Sequence, residues 1–256
     1  MDGVLSQEEI SALLSEPGSS IDAKDRLTDS EKDAIGEISN ISMGTAATTL
    51  FSLVNRKVEI STPVVSYATW QDIVDAYERP CVFIRISYTV GLDGSNILVL
   101  KENDVKVITD LMMGGDGTNT DGELGELHLS AISEAMNQMM GSAATSLSQM
   151  LDKMIDISPP SAHLMSVEEA LTNDGMGEFL KGKFVRIAFR MQIGDLVDST
   201  ILQLYPIDFA KELVATFLGG TMEESAEEPV VTAYEPPKVE APQSAPIADI
   251  PPMPTE

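Results

Sequence analysis

Apolar residues along this chain change their spacing several times, and each change marks a new element. From about residue 29 to 55 they recur at three- and four-residue steps, with Ala34, Ile35, Ile38 and Leu53 on one face, which predicts a long amphipathic helix. The spacing then shortens to two, as in Val58-Glu59-Ile60, predicting a strand over 58–66. A helix or loop follows near 69–77. Two adjacent strands (81–91 and 95–101) come next, joined through Gly91-Leu92-Asp93-Gly94-Ser95, and a closing helix spans 103–113. Phe83 to Ile86 alternate as expected of a half-buried strand.

The whole succession then returns. Residues 33–63 lie on residues 130–160 at a constant offset of 97 with no gap, and 13 of the 31 positions are identical. The blocks GTAATTL (44–50) and GSAATSL (141–147) make the repeat plain, and VFIRISY (82–88) against KFVRIAF (183–189) resumes it. Each half closes on a Gly-Gly, at 114–115 and 219–220. The second half therefore predicts a helix over about 128–155, a strand over 155–165 and a variable stretch near 167–181. Strands over 183–194 and 197–204 and a helix over 206–218 complete it. The expected fold is of the α/β (α+β) class: a six-stranded, largely antiparallel sheet covered by helices and related by a pseudo-two-fold axis. The two repeats occupy about 28–115 and 123–220 of a domain spanning 28–220; strand order stays open.

The ends have a different composition. In residues 1–15, Ser6 and Glu9 have capping-box spacing, and Ile10, Leu13 and Leu14 share one face of a short helix. A helix of that length is marginal alone, so its apolar face calls for a partner. Residues 16–27, opening on Glu16-Pro17-Gly18, read as a linker. Residues 221–256 read as a disordered acidic linker, because eight of the chain's 14 prolines stand there and large apolar residues are scarce.

Composition narrows the function. The chain's net charge is −25, and its lysines and arginines form no cluster, which argues against nucleic acid and for protein partners. Cys81 is the single cysteine, and no apolar run approaches the roughly 20 residues of a membrane span. The early Glu8 and Glu9 do not suit a signal peptide. A cytoplasmic, non-inserted protein is expected. His128 and His163 belong to no ligand-spaced cluster, the acidic stretch 116–123 places Leu124 where a calcium loop needs glycine, and no phosphate-binding glycine loop is present. Trp70 and the methionines read as packing residues.

Candidate chemistry lies on the two long helices. At 100° per residue, Asp33, Glu37 and Asn40 fall at about 0°, 40° and 340°, one narrow stripe that Gly44 and Thr48 extend. Ser130, Glu134, Asn137, Gly141 and Thr145 repeat it. Both stripes lie opposite the apolar face, so Glu and Asn should point to solvent above a shallow groove left by small residues. Asparagine is a poor mid-helix residue, and packing does not ask for it on a solvated face. Its return beside glutamate in both halves is the sharpest signal in the chain.

Asp/Ser, three residues, Glu, two residues, Asn and 22 residues to Pro is a pattern that stands here as Asp33-Glu37-Asn40-Pro63 and again as Ser130-Glu134-Asn137-Pro160. It resembles the signature of the CheC/CheX/FliY phosphatases, and the resemblance covers about 28–220. It implies a CheC-like fold and hydrolysis of an aspartyl phosphate on the chemotaxis response regulator CheY. No cofactor of the chain's own is implied; Mg²⁺ would sit in the regulator's acidic pocket. Asn40 and Asn137 would orient the attacking water, Glu37 and Glu134 would pair with a lysine of the partner, and Asp33 and Ser130 would open each motif. Pro63 and Pro160 would fix the entry to a strand. LSQEEISALL (5–14) resembles the opening segment of flagellar switch proteins that binds the phosphorylated regulator, which makes Leu5, Ile10, Leu13 and Leu14 candidate partner contacts. The acidic, proline-rich tail resembles the linker that precedes a FliN-like domain in FliY-type members. The resemblance thus implies a place at the flagellar basal-body switch beside FliM, FliG and FliN-like proteins. Two other readings compete: a non-catalytic switch scaffold that only binds phospho-CheY, and a free CheC-type phosphatase.

Overall fold

The computed structural model describes residues 26–76, 80–170 and 182–226. The 1–15 segment with Leu5, Ile10, Leu13 and Leu14, nearly all of the 16–27 linker, and residues 227–256 lie outside them. In chain order the elements are α1 (Asp29–Val54), β1 (Val58–Ile60), β2 (Val64–Thr69), α2 (Trp70–Ala76), β3 (Cys81–Val90), β4 (Ser95–Lys101) and α3 (Glu102–Met112). The second half supplies α4 (Glu126–Met150), β5 (Asp156–Ile157), β6 (Ser161–Met165), α5 (Val167–Ala170), β7 (Lys183–Ile193), β8 (Val197–Pro206) and α6 (Ile207–Ala226).

Among the described residues the sheet is antiparallel throughout and has eight strands where six were expected, because the first strand of each half is broken in two. The break has the same cause in both halves. Between Ile60, opposite Met191, and Val64, opposite Ala188, one strand carries an extra residue. Between Ile157, opposite Tyr88, and Ser161, opposite Arg85, the register slips by one in the same way. Pro63 and Pro160 stand just before the strands resume, and a proline has no N–H for the ladder. Ser61 donates its N–H to the Arg190 carbonyl at 2.9 Å, and its counterpart Ser158 donates to the Ser87 carbonyl at 2.8 Å. The retained Ser-x-Pro of the duplication is thus a built bulge.

Strand order reveals an exchange between the halves. The sheet runs β1/β2–β7–β8–β4–β3–β5/β6. Each half contributes a central hairpin, yet the broken outer strand of the first half pairs with the second half's hairpin, and the reverse. The pseudo-two-fold passes between β4 and β8, where Ile97 faces Leu204 and Val99 faces Leu202.

The strands expected to be half-buried are buried on both faces at the centre. One face carries Val82, Ile84, Ile86, Leu98, Ile187 and Phe189 against Ile35, Ile38, Met43, Ile132 and Met139 of α1 and α4. The other face holds a smaller core of Phe83, Ile97, Val99, Phe184, Leu202 and Leu204, closed by Trp70, Ile73 and Ala170 of α2 and α5. Trp70 meets Phe83 with ring centroids 5.9 Å apart, a packing role as expected. Cys81 lies in this second core, and burial pushes its thiol up to about 11.

Two boundaries differ from expectation. The second long helix ends at Met150 instead of about 155, because Asp152 turns left-handed (φ 45°) and the Ser148 hydroxyl accepts the Ile155 N–H at 2.9 Å. Asn55, which corresponds to Asp152, is left-handed as well (φ 49°); Asn and Asp tolerate that region better than other side chains. The closing helix α6 runs through Gly219-Gly220 to Ala226, past the expected start of the tail at 221. No proline stands before Pro229 to stop it.

Candidate functional site

Helix α1 is fixed at its start by reciprocal capping. The Thr28 hydroxyl accepts the Glu31 N–H at 3.2 Å, and the Glu31 carboxylate accepts the Thr28 N–H at 2.6 Å. The hydroxyl of Tyr67 on β2 holds Leu27 by both its N–H and its carbonyl, and Lys32 lies over the Tyr67 ring at 5.4 Å. Burial of Ala34, Ile35, Ile38, Met43, Ala46 and Leu50 then sets the rotation of the helix about its axis. Each large aliphatic there contributes about 1.5–3 kcal/mol when fully buried, so turning the helix over would be far costlier than any surface preference.

That rotation leaves Asp33, Glu37, Asn40, Gly44 and Thr48 all exposed, as the stripe requires. Helix α4, held by buried Ile132, Ala135, Met136, Met139, Met140 and Leu147, exposes Ser130, Glu134 and Thr145 and leaves Asn137 and Gly141 half-buried. Thr48 and Thr145 turn their hydroxyls back onto the carbonyls of Gly44 and Gly141, at 3.3 and 3.0 Å. Among the described residues the side chains of Glu37, Asn40 and Asn137 have no hydrogen-bond partner, whereas Glu134 accepts from the Gln138 amide at 2.7 Å. Reading the stripes alone passes over Gln138; the signal that finds it is that its counterpart is Ile41. Pro63 and Pro160 stand at the bulges and not on the stripes.

The surface beside the stripes is open. A β-carbon built on Gly44 or Gly141 meets nothing within 4 Å, and a shallow cavity of about 380 Å³ lies between Gly44, Thr48 and Phe51 of α1 and Val58 to Ile60 of β1. A larger cavity of about 630 Å³ near Asp75, Lys101, Lys106 and Asp121 shares no residue with either stripe, and its Lys106 is engaged by Glu102 at 2.7 Å. Gly44→Ala and Gly141→Ala should each stabilise the fold by about 0.5–1 kcal/mol, since mid-helix glycine costs that much and the added methyl enters open space. Thermal melts of the two variants check this; a lowered Tm would contradict the open surface.

His128 accepts the Gly125 N–H through Nδ1 at 3.2 Å, and His163 stands on β6 opposite Phe83. Among the described residues no three His, Cys, Asp or Glu side chains gather in a way that would hold a metal ion. In the acidic loop, the Asp116 carboxylate accepts the Thr118 hydroxyl and N–H at 2.6 and 3.0 Å, which holds it below the usual carboxylate range. Among the described residues no helix is long and apolar enough to cross a membrane.

Comparison with known proteins matches the same two stretches. The profile of the CheC-like family fits residues 31–67 and 127–164, one match on each stripe-bearing helix and the strands that follow it. The crystal structure of FliY from Thermotoga maritima superposes with a TM-score of 0.69 at 40% identity, over 76% of this chain and 98% of that one. The chain belongs to the CheC-like family. Within that family it is similar to the flagellar motor switch phosphatase FliY of Bacillus subtilis, at 48% identity over 241 residues and 91% of the chain. It spans 63% of the length of that relative. It also matches the CheY-P phosphatase CheC of Bacillus subtilis at 24% identity over 157 residues, 59% of this chain and 74% of that protein. The two halves that each carry the CheC-like motif are also the halves that exchange their outer strands.

Proposed function

We propose that this protein is a flagellar motor switch phosphatase that removes phosphate from the phosphorylated response regulator CheY, with Asn40 and Asn137 each serving a separate site. One observation carries the reading: two asparagines with no partner among the described residues, Asn40 exposed and Asn137 half-buried, stand on long helices, each one turn after a glutamate. An amide is neither acid nor base at neutral pH, so its use is to hold a water by hydrogen bonds. Positioned in line, that water attacks phosphorus, the bond from phosphorus to the aspartyl oxygen breaks, and the products are inorganic phosphate and the free carboxylate. Phosphoryl transfer suits such a site because alignment and charge stabilisation supply most of the acceleration. Mg²⁺ in the regulator's own pocket would neutralise charge on the phosphoryl oxygens.

Glu37 and Glu134 would set the docking register by pairing with a lysine of the regulator, and the groove beside Gly44 and the open surface at Gly141 would admit it. Asp33 and Ser130 would border the contact at the N-terminal end of each stripe. Residues 1–15 would recruit the phosphorylated regulator through Leu5, Ile10, Leu13 and Leu14, raising its local concentration without adding chemistry. The likeness to FliY supports a cytoplasmic place at the flagellar basal-body switch, next to FliM, FliG and FliN-like partners.

The test is the loss of acyl phosphate from ³²P-labelled regulator with and without the protein. Glu37→Lys and Glu134→Lys together should raise KM by at least about tenfold, because a like charge would then face the partner's lysine. A regulator whose phosphate decays at its own rate in the presence of the wild-type protein would leave only the scaffold reading.

A further inference from the structure

The two copies of the motif differ at the position four residues after the glutamate, which is Ile41 in the first copy and Gln138 in the second. On a helix that position lies one turn past the glutamate on its face and follows the asparagine in sequence. Resting on the phosphatase reading above, we propose that this position makes the copies unequal. The first copy is the tighter docking site for the phosphorylated regulator, and Gln138 is a positioning residue that restrains the second.

Two observations bear on it separately. Gln138 donates its amide to the Glu134 carboxylate at 2.7 Å, so a partner lysine at the second copy must displace or share that contact. Glu37 has no partner among the described residues, and its carboxylate is available at once. Apolar surface differs too. Ile41 is 44% exposed, and further along the same face Phe51 is 47% exposed beside the cavity lined by Gly44, Thr48 and Ile60. The residue equivalent to Phe51 is Ser148, whose hydroxyl turns inward to the Ala144 carbonyl at 2.9 Å and to Ile155. On the second long helix the exposed Leu127 lies N-terminal to Ser130, and the exposed Met154 lies past the helix's C-terminal end, both away from Asn137. Among the described residues, only the first copy therefore sets an exposed aliphatic side chain one turn after its glutamate, on the face that Gly44 and Thr48 extend to the cavity. A regulator docked on Asn40 would cover Ile41 and remove it from water.

The magnitudes set the size of the difference. Covering the exposed part of one isoleucine changes affinity by about fivefold, and a surface hydrogen bond of the Glu–Gln kind by about twofold. The Asn137→Ala protein, working through the first copy alone, should show a KM for phosphorylated regulator about five- to tenfold below that of Asn40→Ala, working through the second. Ile41→Gln placed in Asn137→Ala should raise KM by that factor, and Gln138→Ile placed in Asn40→Ala should lower it. Both changes should leave kcat within about twofold, the split that a docking residue gives and a general loss of structure does not. Gln138→Ala in Asn40→Ala serves as a check that adds no apolar surface, and it should lower KM by about twofold through release of Glu134. Equal KM values for the two single-asparagine variants, or exchanges that leave KM unmoved, would overturn the inequality and leave the phosphatase reading intact. Activity in the protein lacking both asparagines would overturn that reading, and the inequality with it.

Discussion

Phosphorylated regulator mixed with the Asn40→Ala/Asn137→Ala protein should lose its acyl phosphate no faster than it does alone. Each single variant should retain part of the wild-type rate. The expectation follows from the placement of the two side chains. Asn40 and Asn137 sit on different helices, each one turn after its own glutamate, and neither is among the buried residues that orient those helices. Removing one amide leaves the other stripe and its glutamate as they were. Loss of a water-positioning group that acts only in the transition state should appear in the kcat of its own site, by a factor of about 10² or more, so that each single variant shows the KM of the site that remains. Stability should not fall, because alanine is the better helix former by up to about 0.7 kcal/mol and no partner is left unsatisfied. The measurement is single-turnover decay of the acyl phosphate, paired with a thermal melt of the same preparation. A folded double variant with wild-type activity would remove both asparagines from the mechanism.

The other large effect concerns the exchange of strands. Residues 26–115 and 116–226 each hold one copy of the repeat, yet neither half should fold alone. Separated from the second half, β2 loses all six of its partner residues on β7, and the β3–β4 hairpin loses β6 on one side and β8 on the other. The core face of α1 loses its packing against α4, including the 2.8 Å bond from Thr49 to Ser142. Those losses remove most of what keeps a domain above its stability threshold, which is only about 5–15 kcal/mol in total. Each fragment should show no cooperative melting transition, and the two expressed together should restore one. A sigmoidal melt from either isolated half would mean that the halves are self-sufficient.

The contrast between these predictions follows where the information lies. The stripe of Asp33, Glu37 and Asn40 and its repeat on α4 were legible from residue spacing, because a helix turns through a fixed angle per residue and buries its apolar side. The same applies to α1, to the central hairpins and to the solvent-facing stripe of α1, which stand where local periodicity puts them; on α4 tertiary packing leaves Asn137 and Gly141 half-buried. Family membership was legible as well, since the motif with its proline recurs intact in both halves.

Strand pairing was not legible. Hydrogen bonds between strands are made by backbone groups that are alike in every residue, so pattern alone cannot say that β2 lies on β7 instead of on its own half's hairpin. Nor did alternation reveal that the central strands are covered on both faces; that depended on where α2 and α5 come to rest. The conserved spacing of Ser61 and Pro63 with Ser158 and Pro160 was visible as repetition, but its meaning as a bulge needed the partner strand against which one residue is extra. At the site itself, the Ile41/Gln138 difference was present in the letters. That Gln138 reaches back to Glu134 while Glu37 stays unengaged was decided by the three-dimensional arrangement of side chains, because a side-chain amide and a carboxylate four residues apart can either join or turn to water.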